Sequence, residues 1–287
     1  MKKTQPVTVA VIQCALGNSR DDNTQKVKRL IGQAARAGAN VVVTPELFET
    51  PYFCKKKSPK NFLEARPLDG NPMLADFRRL AKAHGLVMPV SFYEDGGYGR
   101  YFNTVAMIDA DGRVLGTYRK SHIPTGPGYW ERHYFEPGDT GFKVWKTRYG
   151  RIGVGICWDQ WFPECARAMA MQGADLLLYP TTIGAEPHRP DVDTRDRWRR
   201  VMIGHAVANV IPVAASNRTG TEDGIPYYGS SFVCDDAGEI VAEMERQTEG
   251  FALAKLNLAA ARANRRDWGL TGYHRRPDLY GDLVKPR

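Results

Sequence analysis

Three stretches of the chain each end in a residue suited to acyl-transfer chemistry. NVVVTPE closes on Glu46, GRVLGTYRK on Lys120 and RIGVGIC on Cys157. A thiol titrates near about 8.5, so it attacks a carbonyl only with a base or cation beside it. A carboxylate can take the thiol proton, and an ammonium can hold the oxyanion formed by attack. The backbone N–H of Trp158, next after the thiol, is a second oxyanion donor. Glu46 could then hand its proton to departing ammonia. A thiol so placed is expected to be reactive, with a lowered pKa. Taken singly, each residue reads blandly: Cys157 as core packing, Glu46 as a surface or helix-starting acid, Lys120 as a solvated strand end.

What must bring them together is a sheet. Residues 7–13, with Val7, Val9 and Val11 alternating, read as a strand, and 23–39 as a helix burying Val27, Leu30, Ile31, Ala34 and Ala35. The β-branched run 40–46 reads as a buried strand, 72–85 as a helix stopped by Gly85, and 86–94 as a strand. Residues 102–120 read as a hairpin turning at Asp111-Gly112, and 228–244 as a second one turning near Ala237-Gly238. Between them, strands at 151–157, 175–181 and 211–217 alternate with helices at 163–174 and 196–210. This alternation predicts an α/β layered fold, in which ligands bind beyond the carboxyl ends of strands. Two similar hairpins half a chain apart suggest two similar halves. No flexible linker separates them, so residues 1–287 read as one domain. Residues 121–141 form a long aromatic loop, which in a compact domain points to function.

Composition narrows the class. The net charge is +8, but the basic residues are scattered except in the tail from about residue 262, which we assign to a subunit interface. No nucleic-acid-binding motif accompanies that charge, so nucleic acid is not expected as a partner. The five cysteines show no paired spacing, which predicts neither a disulfide frame nor a metal site, and fits the reducing cytoplasm. The start MKKTQPVTVAVIQC has some character of a short lipoprotein signal, but Thr8 and Gln13 make it too polar. No apolar run of about 18 residues occurs, so no membrane span is expected.

The stretches TPELF, GTYRKSHIP and GICWDQWFPE together resemble the nitrilase superfamily of carbon–nitrogen hydrolases. The resemblance covers nearly the whole chain. It implies a Glu46–Lys120–Cys157 triad and an α-β-β-α four-layer sandwich with pseudo-twofold halves. It also implies no metal or organic cofactor, and assembly as a homo-oligomer. Glu131, in PGYWERHYFEPG, matches a further glutamate of the superfamily that positions the lysine or assists the substrate amide.

Within the superfamily, the segments 122–145, 157–187 and 205–220 resemble the N-carbamoylputrescine amidases. That implies a small ureido amine substrate: a neutral head, a four-carbon stem and a terminal ammonium. Such a pocket needs an acid at its far end and aromatic walls. Relatives that take carbamoylated amino acids tend to carry an arginine after the Cys-x-Asp stretch, where this chain has Gln160 and Trp161. Glu186 is our choice for the ammonium contact, with Asp159, which also reads as structural, as the alternative. Tyr52, Tyr129, Trp130 and Trp158 are candidate walls, and His122 reads as structural. An amidase of β-ureidopropionate or ω-amides, or a catalytically silent assembly protein, remains open.

Overall fold

The valines Val7, Val9 and Val11 of the first strand face one layer while Ala10 and Ile12 between them face another, and this sets the architecture. A computed structural model describes residues 6–189 and 191–285. The first half comprises β1 (Val7–Gln13), α1 (Arg20–Arg36), β2 (Val41–Val43), α2 (Pro72–His84), β3 (Met88–Asp95), β4 (Tyr101–Ile108) and β5 (Val114–Arg119). The second comprises β6 (Lys143–Thr147), β7 (Gly150–Val154), α3 (Pro163–Met171), β8 (Leu176–Thr181), α4 (Arg195–Asn209) and β9 (Val213–Asn217). It continues through the hairpin β10 (Thr219–Glu222) and β11 (Ile225–Tyr228), then β12 (Phe232–Cys234) and β13 (Ile240–Glu243). Finally β14 (Gly250–Leu256) returns to the first half and leads into α5 (Leu258–Trp268).

The two sheets repeat one strand order. In the first, β14 lies antiparallel to β1, which lies parallel to β2. Val42 N donates to Val87 O and Val87 N to Asn40 O, both at 2.9 Å, joining β2 to the β3–β4–β5 meander. The second sheet runs β6-β7-β8-β9-β12-β13, with β7, β8 and β9 parallel and the outer pairings antiparallel. The two expected hairpins, β4–β5 and β12–β13, therefore occupy matching places.

Three cores stack through these layers. Val9, Val11, Val41 and Val43 meet Ile152, Val154, Leu176 and Leu178 between the sheets. Ala10, Ile12, Val42 and Val90 face the other way, against Val27, Ile31, Leu74 and Phe77 of α1 and α2. Leu177, Tyr179 and Ala215 likewise face Met169, Trp198 and Met202 of α3 and α4. Strands covered on both faces read as continuous apolar runs, as these do. The result is the expected α-β-β-α sandwich.

Several boundaries differ from the sequence reading. α1 starts three residues early, because Ser19 Oγ accepts the Asp22 N–H at 3.2 Å and two acids occupy its first turn. The strand expected at 151–157 stops at Val154, and Cys157 opens a 3-10 turn instead. The basic tail begins inside α5, which Asn257 caps at Ala260 N. Arg262 Nε donates to Asp175 Oδ1 at 2.8 Å, so part of that charge is used within the chain. Met1–Gln5, which open the possible signal, and Pro286–Arg287 of the tail lie outside the described residues. No helix among the described residues is long and apolar enough to cross a membrane.

Candidate active site

Each candidate residue stands where a strand gives way to a turn. Glu46 follows β2, and its N–H donates to Thr181 O at 3.2 Å, tying the turn to the end of β8. Lys120 directly follows β5, its N–H bonded to Asn103 O at 2.8 Å. Cys157 has φ 43°, a left-handed conformation costly for a side chain with a Cβ. Ile156 N and Asp159 Oδ2 close the turn beneath it at 2.9 Å. Glu131 comes from the long loop, on a short 3-10 turn spanning Glu131–His133.

The charges converge in the interior. Lys120 Nζ lies 2.9 Å from Glu46 Oε1 and 2.6 Å from Glu131 Oε2. Tyr52 OH donates to the other Glu131 oxygen at 2.6 Å. Asn103 Nδ2 donates to Glu46 Oε1 at 2.6 Å, the same oxygen that Lys120 contacts. Glu46 Oε2 has no hydrogen-bond partner among the described residues. One face of the base is thus pinned while the other keeps its lone pairs.

Burial and charge decide the protonation states. Burial alone would depress the Lys120 ammonium, but Glu131 and Glu46 outweigh it and hold its pKa well above the ordinary value. Burial pushes Glu131 up to about 7, against the pull of Lys120. Burial, then the charge of Glu46, raises the Cys157 thiol, although Lys120 acts in the opposite direction. The direction is opposite to the expected lowering: burial and Glu46 favour the neutral thiol, whose Sγ lies 3.5 Å from Thr182 O. Deprotonation has to accompany attack, which is the task of a base with a free oxygen.

The chain as a whole matches a known family. The carbon-nitrogen hydrolase family matches residues 8–266. The chain belongs to it. The citrullinase of Francisella tularensis is 49% identical over 97% of this chain and 98% of its own. The N-carbamoylputrescine amidase of Solanum lycopersicum is 50% identical over 99% of this chain and 96% of its own. A crystal structure of a carbon-nitrogen hydrolase from Helicobacter pylori G27 superposes with a TM-score of 0.91 at 35% identity, covering 98% of this chain and 99% of that one. Nit3 of Saccharomyces cerevisiae, a member of branch 10 of the nitrilase superfamily, gives 0.81 at 26% identity, over 95% of this chain and 98% of its own.

In this carbon–nitrogen hydrolase the remaining candidates fall at different depths. Tyr129 OH accepts from Gly184 N and lies against Ala185 O, both at 3.2 Å, and its ring sits 5.8 Å from that of Tyr52. Tyr52 is more than a wall, since its hydroxyl holds Glu131. Trp158 is half-buried, its ring 6.0 Å from Trp161, and no described group accepts its backbone N–H. Trp130 is likewise half-buried, with Lys57 Nζ 4.3 Å from its ring centroid. Glu186 is half-buried, and burial raises its carboxyl while His188 opposes. Tyr129 and Tyr228 each feel the charges of both Glu186 and Cys157.

Asp159 does not remain available to a substrate. Oδ1 takes the N–H of His122 at 3.0 Å and its Nδ1 at 2.7 Å, while Oδ2 takes Ile156 N and Tyr118 OH. It braces the Cys157 turn, and His122, stacked 3.7 Å from the Phe162 ring, is its structural partner. Among the described residues, no group of three or more His, Cys, Asp or Glu side chains is arranged to hold a metal ion.

Sequence reasoning missed Asn103. The hairpin turn carried the signal, because pairing Thr104 with Arg119 places Asn103 beside Lys120.

Proposed function

We propose that the chain hydrolyses N-carbamoylputrescine to putrescine, carbon dioxide and ammonia. The observation that carries the chemistry is the pinned Glu46 carboxylate, with Oε1 shared by Lys120 and Asn103 and Oε2 left free beside a neutral thiol. Cys157 Sγ attacks the carbamoyl carbon while Glu46 Oε2 takes its proton. Lys120 and the Trp158 N–H hold the oxyanion. Collapse breaks the bond to the terminal nitrogen, which leaves as ammonia with the proton from Glu46. Water, activated by the same carboxylate, then cleaves the thiocarbamate on Cys157. The released carbamic acid loses carbon dioxide and yields the amine.

The substrate assignment is supported at the far end of the site. Glu186 offers a half-buried carboxylate, with His188 Nδ1 3.9 Å from its Oε2. An ammonium on a four-carbon stem would complete that pair. The similarity to the tomato amidase agrees with this reading. Citrulline is a second reading, favoured by the 49% identity to the Francisella enzyme. It shares the ureido head but adds a carboxylate at the end where Glu186 stands.

Five free, buried cysteines suit a reducing cytoplasm, and we place the enzyme there as a homo-oligomer. Ammonia release over carbamoylputrescine, citrulline, β-ureidopropionate and an ω-amide tests the assignment. Carbamoylputrescine should have the highest kcat/KM, and a higher value for any acid would overturn it. A silent assembly protein would release no ammonia from the whole panel.

A further inference from the structure

Arg218 is an arginine with no solvent exposure, in the interior between the two halves. Its Nη2 donates to Glu46 O at 2.9 Å and to Leu47 O at 3.2 Å. Its Nε donates to Thr182 Oγ1 at 3.1 Å, and that hydroxyl donates to Glu46 O at 3.0 Å. Thr182 O is the acceptor facing Cys157 Sγ. One planar guanidinium therefore spans the turn that carries the base and the segment that receives the thiol. These come from different sheets.

The turn it grips is strained. Leu47 has φ 48°, so the backbone turns over immediately after Glu46 and presents two successive carbonyls to the same cation. A planar fork suits that geometry, whereas an ammonium is a single point of charge. Glu222 fixes the fork in turn. Its Oε1 takes Arg218 Nη1 at 2.7 Å, and its Oε2 takes Tyr52 N at 2.7 Å and Lys55 Nζ at 3.2 Å. Tyr52 is the residue whose hydroxyl holds Glu131. Base, thiol acceptor and second glutamate are all tied to one buried ion pair.

We propose that Arg218, held by Glu222, is a positioning residue that sets the placement of Glu46 relative to Cys157. The proposal rests on the reading of those two residues as base and nucleophile. It touches no substrate and acts through backbone carbonyls, so its loss lowers kcat and leaves KM nearly unchanged. A base displaced by about 1 Å costs on the order of 10²-fold in rate.

The test compares Arg218→Met, Arg218→Lys, Glu222→Gln and the double variant Arg218→Met/Glu222→Gln, with Glu46→Gln as control, by kcat, KM and Tm. Arg218→Met should lower kcat about 10²-fold with KM within about threefold. Arg218→Lys should restore part of that loss, because it reaches fewer of the acceptors. The double variant should regain Tm, having no unpaired buried carboxylate, but not kcat. Recovery of kcat together with Tm would reduce the pair to a structural role and overturn the proposal. Wild-type kcat in Arg218→Met would do the same. Should Arg218→Met not fold, Glu222→Gln decides: a three- to tenfold fall in kcat, on the order expected for a loosened clamp, supports the proposal, and an unchanged kcat overturns it. An active Glu46→Gln would instead remove the underlying assignment.

Discussion

Lys120 Nζ lies 2.9 Å from Glu46 Oε1, and neither side chain is exposed at all. With Glu131 on its other side, the ammonium separates two carboxylates that could not otherwise both stay ionised in the interior. Lys120→Met should destabilise the fold by about 3–5 kcal/mol, because it strands buried charge. Adding Glu131→Gln should recover much of the lost Tm and none of the activity. Calorimetry beside an ammonia assay would show it, and a double variant no more stable than the single would contradict it.

Glu131 introduces a pH dependence. Burial lifts its carboxyl from an ordinary 4.5 to about 7. The folded chain thus keeps a proton that the unfolded chain has already released, and stability falls as pH rises between those two values. Glu131→Gln should flatten the Tm–pH curve across that window. The two donors on Glu131 need its ionised form, so kcat/KM should rise through about pH 7. The same limb persisting in Glu131→Gln would rule out this residue as its source.

The neutral resting thiol separates reactivity from catalysis. The charge of Glu46 helps to raise Cys157, so Glu46→Gln should lower the thiol pKa and speed alkylation by iodoacetamide at pH 8. Ammonia release in the same variant should drop by about 10³-fold or more, as expected when a base is removed. Alkylation slowed in parallel with turnover would contradict the charge argument.

At the far end, Glu186→Gln should raise KM for carbamoylputrescine about 10- to 100-fold with kcat little changed, the scale of one charged hydrogen bond. N-carbamoylbutylamine, which lacks the ammonium, should not distinguish the variant from wild type. Equal losses on both substrates would move the ammonium contact elsewhere.

Gly138 limits how the long loop packs on the lysine. A Cβ there would stand 2.0 Å from Arg119 O and 2.8 Å from Lys120 O. Gly138→Ala should therefore push the end of β5 aside, and both Tm and kcat should fall. Normal kinetics in a folded Gly138→Ala protein would show that this end of the strand tolerates displacement.

Much of this was legible from residue order, for physical reasons that also mark its limit. Strands buried on both faces leave unbroken apolar runs, so β1, β2, β7 and β8 stood out, and Glu46 and Cys157 were visible as the polar residues that end such runs, while Lys120 was visible as the end of a hairpin strand. Asp159 stayed open between substrate and structure because an acid beside the cysteine looks available until its four donors are counted. Arg218 was overlooked because it meets backbone carbonyls of the turn at Glu46 and Leu47, which have no side-chain signature. β14 and α5 were missed for a related reason: β14 pairs with β1 from the opposite end of the chain, and no local pattern reports a partner so distant.

The repeated strand order has a corollary for the thiol itself. Val11 pairs with Val43 in one sheet as Val154 pairs with Leu178 in the other, both facing the central core. Equal steps beyond Val11 and Val154 reach Cys14 and Cys157. Cys14 is fully buried, and its thiol is pushed up to about 12 by burial and Glu249. The two thiols nevertheless pack in different layers, Cys14 in the helix-side core and Cys157, on its left-handed turn, in the core between the sheets, where Lys120 and Glu46 act on it. Matching strands of equal reach thus deliver their sulfurs to different layers, because one chain continues extended past its strand and the other turns over at Cys157.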